Sequence, residues 1–160
     1  MIATVGYSGT PLPKKVGIKP GMTYLAISAP HEFQGWLGEL PENAQVVTST
    51  PPPFTAAHVF VTEQAELARM LRYYRHELEP AGFIWVSWPK KASKVKTDIT
   101  EDLIRSVALP LDYVDIKVCA VSEVWSGLKL VIRKELRAAA RHYNAREAIL
   151  KTVRTSNRNE

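Results

Sequence analysis

The chain has 160 residues, 46% apolar and 23% charged, with a formal net charge of +5. That is the size and usage of one globular domain, and it excludes a wholly disordered chain. No apolar run reaches the roughly 18 residues a bilayer span needs, and the segment after Met1 has no signal-peptide layout. The lone Cys119 excludes an internal disulfide framework and a cysteine-rich zinc site, so a cytoplasmic protein with no membrane association is expected.

In chain order, residues 1–21 are dense in turn formers (Gly6, Gly9, Pro11, Pro13, Gly17, Pro20, Gly21), which reads as an ordered arm with a short helical turn near Lys14 to Val16. Met22 to Ser28 reads as a buried strand. Pro30 starts a short helix with Phe33, Trp36 and Leu37 at helical spacing, stopped by Pro41. Gln45 to Thr48 and His58 to Val61 read as short strands on either side of Pro51-Pro52-Pro53. Glu63 to Leu78 is the clearest amphipathic helix, with Leu67, Met70, Leu71, Tyr74 and Leu78 on one stripe. Pro80-Ala81-Gly82 ends it, and the aromatic-rich Phe83 to Trp88 is a strand buried on both faces. Asp98 to Leu109 is a second helix, with Asp98 and Glu101 as a capping-box-like pair. Val114 to Val121 and Leu128 to Ile132 pair as a hairpin around Trp125-Ser126-Gly127, with Asp115 and Lys117 alternating onto one strand face. Lys134 to Val153 is a last helix, and Thr155 to Glu160 a frayed end.

The alternation is that of an α/β layered fold: a mostly parallel sheet of about six strands ending in an antiparallel hairpin, plus a C-terminal helix. Charge divides the chain at Arg133. Residues 1–133 hold 14 basic and 13 acidic residues, whereas 134–160 hold 7 and 3. The domain is therefore expected over 1–133, with a basic appendage over 134–160. A solvated helix face is the ordinary reading of such a tail. The other readings are a homodimer contact, or a basic helix for an acidic partner or for non-specific nucleic-acid binding.

Two resemblances add to this. Residues 22–132 resemble in outline the three-layer Rossmann-like class I methyltransferase fold. The likeness centres on Glu79-Pro80-Ala81-Gly82-Phe83-Ile84-Trp85-Val86, which looks like that fold's loop into its fifth strand, and one strand and helix of the first half are lacking. The strings Gly6-Tyr7-Ser8-Gly9-Thr10-Pro11-Leu12, Trp88-Pro89-Lys90-Lys91-Ala92-Ser93 and Trp125-Ser126-Gly127-Leu128-Lys129-Leu130-Val131 resemble a family of short bacterial proteins of unknown function, which implies no activity. The methyltransferase likeness implies S-adenosylmethionine, held by a glycine-rich turn after the first strand and an acidic residue ending the next. Here the turn is Ser28-Ala29-Pro30-His31-Glu32 and the second position offers Thr48-Ser49-Thr50-Pro51, so that cofactor is disfavoured. A dinucleotide is excluded on the same glycine argument.

Open α/β sheets bind ligands beyond the carboxyl ends of their strands, which nominates residues 29–33, 48–54, 88–100 and 122–127. The loop with Lys90, Lys91, Ser93, Lys94, Lys96 and Thr97 ahead of the helix start at Asp98 reads as an anion site for phosphate or a nucleotide, against the alternative of a solvated lysine loop. Trp125 and Ser126 add an indole platform and a hydroxyl, unless the indole simply packs on the sheet. His31 beside Glu32 has no nucleophilic partner, His58, His76 and His142 are too scattered for a metal, and Cys119 reads as a small buried hydrophobe. The leading expectation is a sensor or accessory protein binding a small anionic ligand. The alternatives are a methyltransferase-like enzyme with a degenerate cofactor turn, and a nucleic-acid accessory protein using the basic tail.

Overall fold

The computed structural model describes residues 9–137. The arm before Gly9 and nearly all of the helix expected over 134–153 lie outside the described residues; within them, a short 3-10 turn at Lys134–Leu136 and the helical Arg137 follow the last strand. The elements are α1 (Leu12–Val16), β1 (Thr23–Ile27), α2 (Phe33–Leu37), β2 (Gln45–Val47), β3 (Phe54–Phe60), α3 (Gln64–Tyr74), β4 (Leu78–Pro89), α4 (Glu101–Ala108), β5 (Tyr113–Ala120) and β6 (Trp125–Ile132). The six strands form one sheet in the order β2-β1-β3-β4-β6-β5. β1 pairs in parallel with β2 and β3, and β3 with β4; β6 runs antiparallel to both β4 and β5. This is the mostly parallel, hairpin-terminated sheet that the alternation predicts.

Period-two alternation distributes the core between two faces. Leu25, Ala57, Val59, Ile84 and Val86 point to one face, under Leu67 and Leu71 of α3 and Ile104 of α4. Tyr24, Ala26, Ala56, Phe60 and Trp85 point to the other, under Leu12 and Val16 of α1 and Phe33 and Leu37 of α2. Each fully buried Leu, Ile or Phe contributes roughly 1.5–3 kcal/mol. β4 runs almost wholly buried through the middle, since helices cover both of its faces. The indole of Trp85 also ties α1 to the sheet, its Nε1–H donating to the carbonyl of Val16 at 2.8 Å.

Three local readings are corrected. α3 ends at Tyr74 rather than Leu78, because the chain turns there, with the Glu77 N–H donating to the Tyr74 carbonyl, and Leu78 already pairs with Phe54 as the start of β4. Between Leu78 and Phe83 the strand bulges: β3 advances from Phe54 to Ala56 while β4 advances from 78 to 83. That irregularity hides the strand's beginning from a periodicity reading. The helix expected from Asp98 starts at Glu101, and its N-cap is Thr100, whose Oγ1 accepts the Leu103 N–H at 3.1 Å. Asp98 caps a different helix, accepting the N–H of Gln64 at the start of α3 at 2.7 Å. Finally, Asp115 and Lys117 do not share a face. A register shift between them places Asp115 against Arg105 of α4 at 2.9 Å, while the Lys117 ammonium donates to the Lys15 carbonyl beside α1, across the sheet.

Candidate functional site

The parallel strands β1, β2, β3 and β4 bring the segments after Ile27, Val47, Phe60 and Pro89 to one edge of the sheet. The β5–β6 turn joins them there, because β6 begins opposite Pro89. A 2.6 Å bond from the Lys90 N–H to the Val124 carbonyl fastens the lysine loop to that turn.

Within the lysine loop much of the polar capacity is spent on the loop itself. Ser93 Oγ donates to the Lys90 carbonyl at 2.6 Å and accepts the Val95 N–H at 3.3 Å. Thr97 Oγ1 donates to the Thr62 carbonyl at 2.6 Å, and Asp98 caps α3. At the start of α4, Thr100 Oγ1 accepts the Leu103 N–H. Lys91, Lys94 and Lys96 are exposed, and Lys94 closes a 3-10 turn in the left-handed conformation at φ 62°. Trp125 packs edge to face on Phe60, ring centroids 5.2 Å apart, and Ser126 sits in β6 opposite Trp88. The indole thus rests on the sheet. The structure gathers Lys90, Lys91, Lys94, Trp125 and Ser126 at one edge.

At the end of β1 the turn behaves differently from its sequence. Ser28 adopts φ 58°, the left-handed backbone that favours glycine, so the chain makes the glycine-type turn without a glycine. The residues following β2 are the exposed Thr48 and Ser49, which offer hydroxyls where a carboxylate would stand. His31 is almost fully exposed, 3.3 Å from Glu32. Among the described residues no group of three or more His, Cys, Asp or Glu side chains is placed to hold a metal ion, and no helix is long and apolar enough to cross a membrane.

Two features were not nominated by the sequence. One is a buried polar chain on the α1–α2 face: Tyr24 Oη lies 2.8 Å from His58 Nδ1, and His58 Nε2 lies 2.6 Å from Ser87 Oγ. The His58 ring stacks on Phe60 at 4.5 Å, and burial lowers its pKa to about 3, so the imidazole is neutral. Burial likewise raises the Tyr24 phenol, with Cys119 adding to the shift. Cys119 itself is only half-buried; burial pushes its thiol up, and Lys15 and Lys117 pull it back in part. A histidine inside the apolar run of β3 was the available signal. The other feature is a cleft of about 840 Å³ between residues 9–19, residues 35–41 and the end of β5.

No family model matches the sequence, and no curated protein matches it. The resemblance to the short bacterial family therefore rests on its three strings alone. Solved structures do match. A SAM-dependent methyltransferase from Aquifex aeolicus aligns with TM-score 0.53 and 16% identity, over 76% of this chain and 87% of that one. The fold is that of the Rossmann-like methyltransferases. A protein described as a candidate type 11 methyltransferase from Sulfolobus solfataricus aligns with TM-score 0.54 and 10% identity, over 77% and 90% of the two chains. LepI in complex with SAM aligns with TM-score 0.46 and 13% identity, and this chain spans 39% of its length. At such identities the likeness is one of fold.

Proposed function

We propose that this chain is a methyltransferase-like domain that binds a nucleoside cofactor of the S-adenosylmethionine class where β1 and β2 end. The observation that carries the reading is Ser28. A non-glycine residue held at φ 58° immediately after the first strand gives that turn the left-handed backbone that a glycine-rich cofactor turn also uses. The methyltransferase-type fold supports the reading, since it brings that turn to the carboxyl edge.

The Ser28 turn fits the group; the ribose partner is changed. Thr48 and Ser49 would meet the ribose hydroxyls with neutral hydrogen bonds, which are roughly half as strong as those to a carboxylate. Pro30 brings no N–H, so the donors available on the turn are those of its other residues. When bound, S-adenosylmethionine supplies an electrophilic methyl group, whose transfer to a nucleophile leaves the bonding pair on sulfur. Calorimetric titration with S-adenosylmethionine and S-adenosylhomocysteine tests the proposal. Binding should be weak in the natural chain and several-fold tighter in Thr48→Asp, which restores the carboxylate. Absence of heat with both ligands at about 1 mM, in folded protein and in Thr48→Asp alike, overturns it.

A second reading places a phosphate or nucleotide at the lysine loop. It is favoured by the three exposed ammonium groups of Lys91, Lys94 and Lys96 on a loop fastened to the same edge. In it Lys90, Lys91 and Lys94 supply charge, and the Trp125 indole lies nearby. Lys91→Gln with Lys94→Gln should abolish phosphate or ATP binding while the melting temperature stays within a degree or two. Unchanged binding, or loss of the fold, sinks it.

A further inference from the structure

The cleft between α1 and α2 is built differently from the carboxyl-edge site, and nothing above uses it. Its volume, about 840 Å³, lies in the range that accepts a small organic molecule. The walls are apolar: Leu12 and Ile18 from the first segment, Trp36, Leu37 and Leu40 from the second. Trp36 is only partly buried, although its neighbours Phe33 and Leu37 are packed into the core.

Gly35 is the informative residue. It sits in the middle of α2, where glycine is a poor choice for helix stability. Its backbone does not take a positive φ, and among the described residues a Cβ built there meets nothing within 4 Å beyond its chain neighbours and its own helix backbone. Gly35 lines the cleft and is exposed, and neither turn geometry nor close packing calls for a glycine there.

The rim is basic. Lys14 and Lys19 line the cleft, both are exposed, and neither makes an ion pair among the described residues. Lys15 reaches the Ala120 carbonyl at 3.0 Å. Glu39 is the one carboxylate side chain in the lining among the described residues. Positive charge accumulates around α1 to the extent that Lys129, on the neighbouring strand, has its ammonium pKa pulled down by burial and then by Lys117 and Lys19. An apolar trough whose lysines outnumber its carboxylate selects a ligand that carries an apolar body and a negative head.

We propose that the α1–α2 cleft is a binding site for a small amphipathic organic anion, an aliphatic or aromatic carboxylate whose body lies between Leu12 and Trp36 over Gly35 and whose head meets Lys14 and Lys19. This does not rest on the cofactor reading, because no residue of the Ser28 turn or of Thr48–Ser49 lines the cleft.

The test is a titration of the full chain with 1-anilinonaphthalene-8-sulfonate, competed by decanoate, decanol and decylamine. Saturable binding, displaced by decanoate at least tenfold more effectively than by decylamine, is expected. Gly35→Phe, which adds a ring at the cleft lining, should weaken probe binding tenfold or more while leaving binding of S-adenosylmethionine as it was. Lys14→Glu with Lys19→Glu, two exposed positions, should weaken decanoate about tenfold and leave decanol unchanged, and it keeps the test valid if Gly35→Phe does not fold. Equal competition by decanoate and decylamine overturns the proposal, as does undiminished probe binding in Gly35→Phe. If the probe binds only after residues 1–8 are deleted, the cleft belongs to the chain's own amino-terminal segment and the proposal fails.

Discussion

The imidazole of His58 bridges Ser87 and Tyr24: Nε2 lies 2.6 Å from Ser87 Oγ, and Nδ1 lies 2.8 Å from Tyr24 Oη. Three strands, β1, β3 and β4, are thereby joined through side chains across the buried face beneath α2. A neutral imidazole has one donor and one acceptor, and either tautomer satisfies both hydroxyls. Protonation removes the acceptor and places a charge among Phe33, Phe60 and Trp85. The network is stable only while His58 is neutral.

A pH dependence follows, and its sign is fixed. The folded-state pKa is about 3, against an ordinary 6.5. Between those values the unfolded chain binds a proton that the folded chain refuses, so stability is full above pH 6.5 and declines as pH falls toward 3. The loss between pH 6.5 and 5 should be about 2 kcal/mol from this residue. Urea midpoints measured at pH 7, 6 and 5 check it. His58→Gln should be less stable at pH 7 and show a flatter pH profile. An equally steep profile in the variant would assign the slope to other groups.

The two helix caps are separable. Thr100→Ala should cost about 1 kcal/mol by freeing the Leu103 N–H, and Asp98→Ala a similar amount at the Gln64 N–H. Thr100→Ser should restore most of the first loss. Because Asp98 and Thr100 cap different helices, the two losses should add within a few tenths of a kcal/mol in the double variant. A clear shortfall from additivity in thermal or urea melts would mean the two residues act on one helix after all.

At Ser28 the backbone rather than the side chain should govern stability. Ser28→Gly relieves the left-handed conformation and should raise stability by about 0.5–1 kcal/mol, while Ser28→Val should lower it by more than 1 kcal/mol. Thermal melts of the two variants decide this; the opposite order would show that the turn is not held at positive φ in solution.

Gly82 answers a packing demand that Gly35 does not. A Cβ at 82 would lie 2.5 Å from the Thr55 carbonyl oxygen and 2.7 Å from Leu78 Cδ1, where β3 and β4 cross the bulge. Gly82→Ala should therefore destabilise by on the order of 1–3 kcal/mol. Gly35→Ala, facing open space, should be neutral or slightly stabilising. Parallel urea titrations of the two variants test the contrast.

The local sequence determined where most helices and strands lie, and in which order they run, though not where β3 and β4 begin. The stripe of Leu67, Met70 and Leu71 and the apolar run Ile84 to Trp88 carry their own periodicity, and the hairpin after α4 follows from two apolar strands close in sequence. Such patterns register a helix turn or a pleat within a few residues, so a reader of the chain can see them. Tertiary structure decided everything that depends on which distant segments meet. Asp98 leaves its own helix for Gln64, a bulge sends Asp115 and Lys117 to opposite faces, and His58 finds partners 34 residues before it and 29 after. Ser28 takes a conformation that glycine favours, and a cleft lined in part by Gly35 forms, only once α1, α2 and the sheet edge are assembled. A hydrogen bond or a cavity wall is a relation between residues far apart in sequence, and local propensity holds no record of it until the chain has folded.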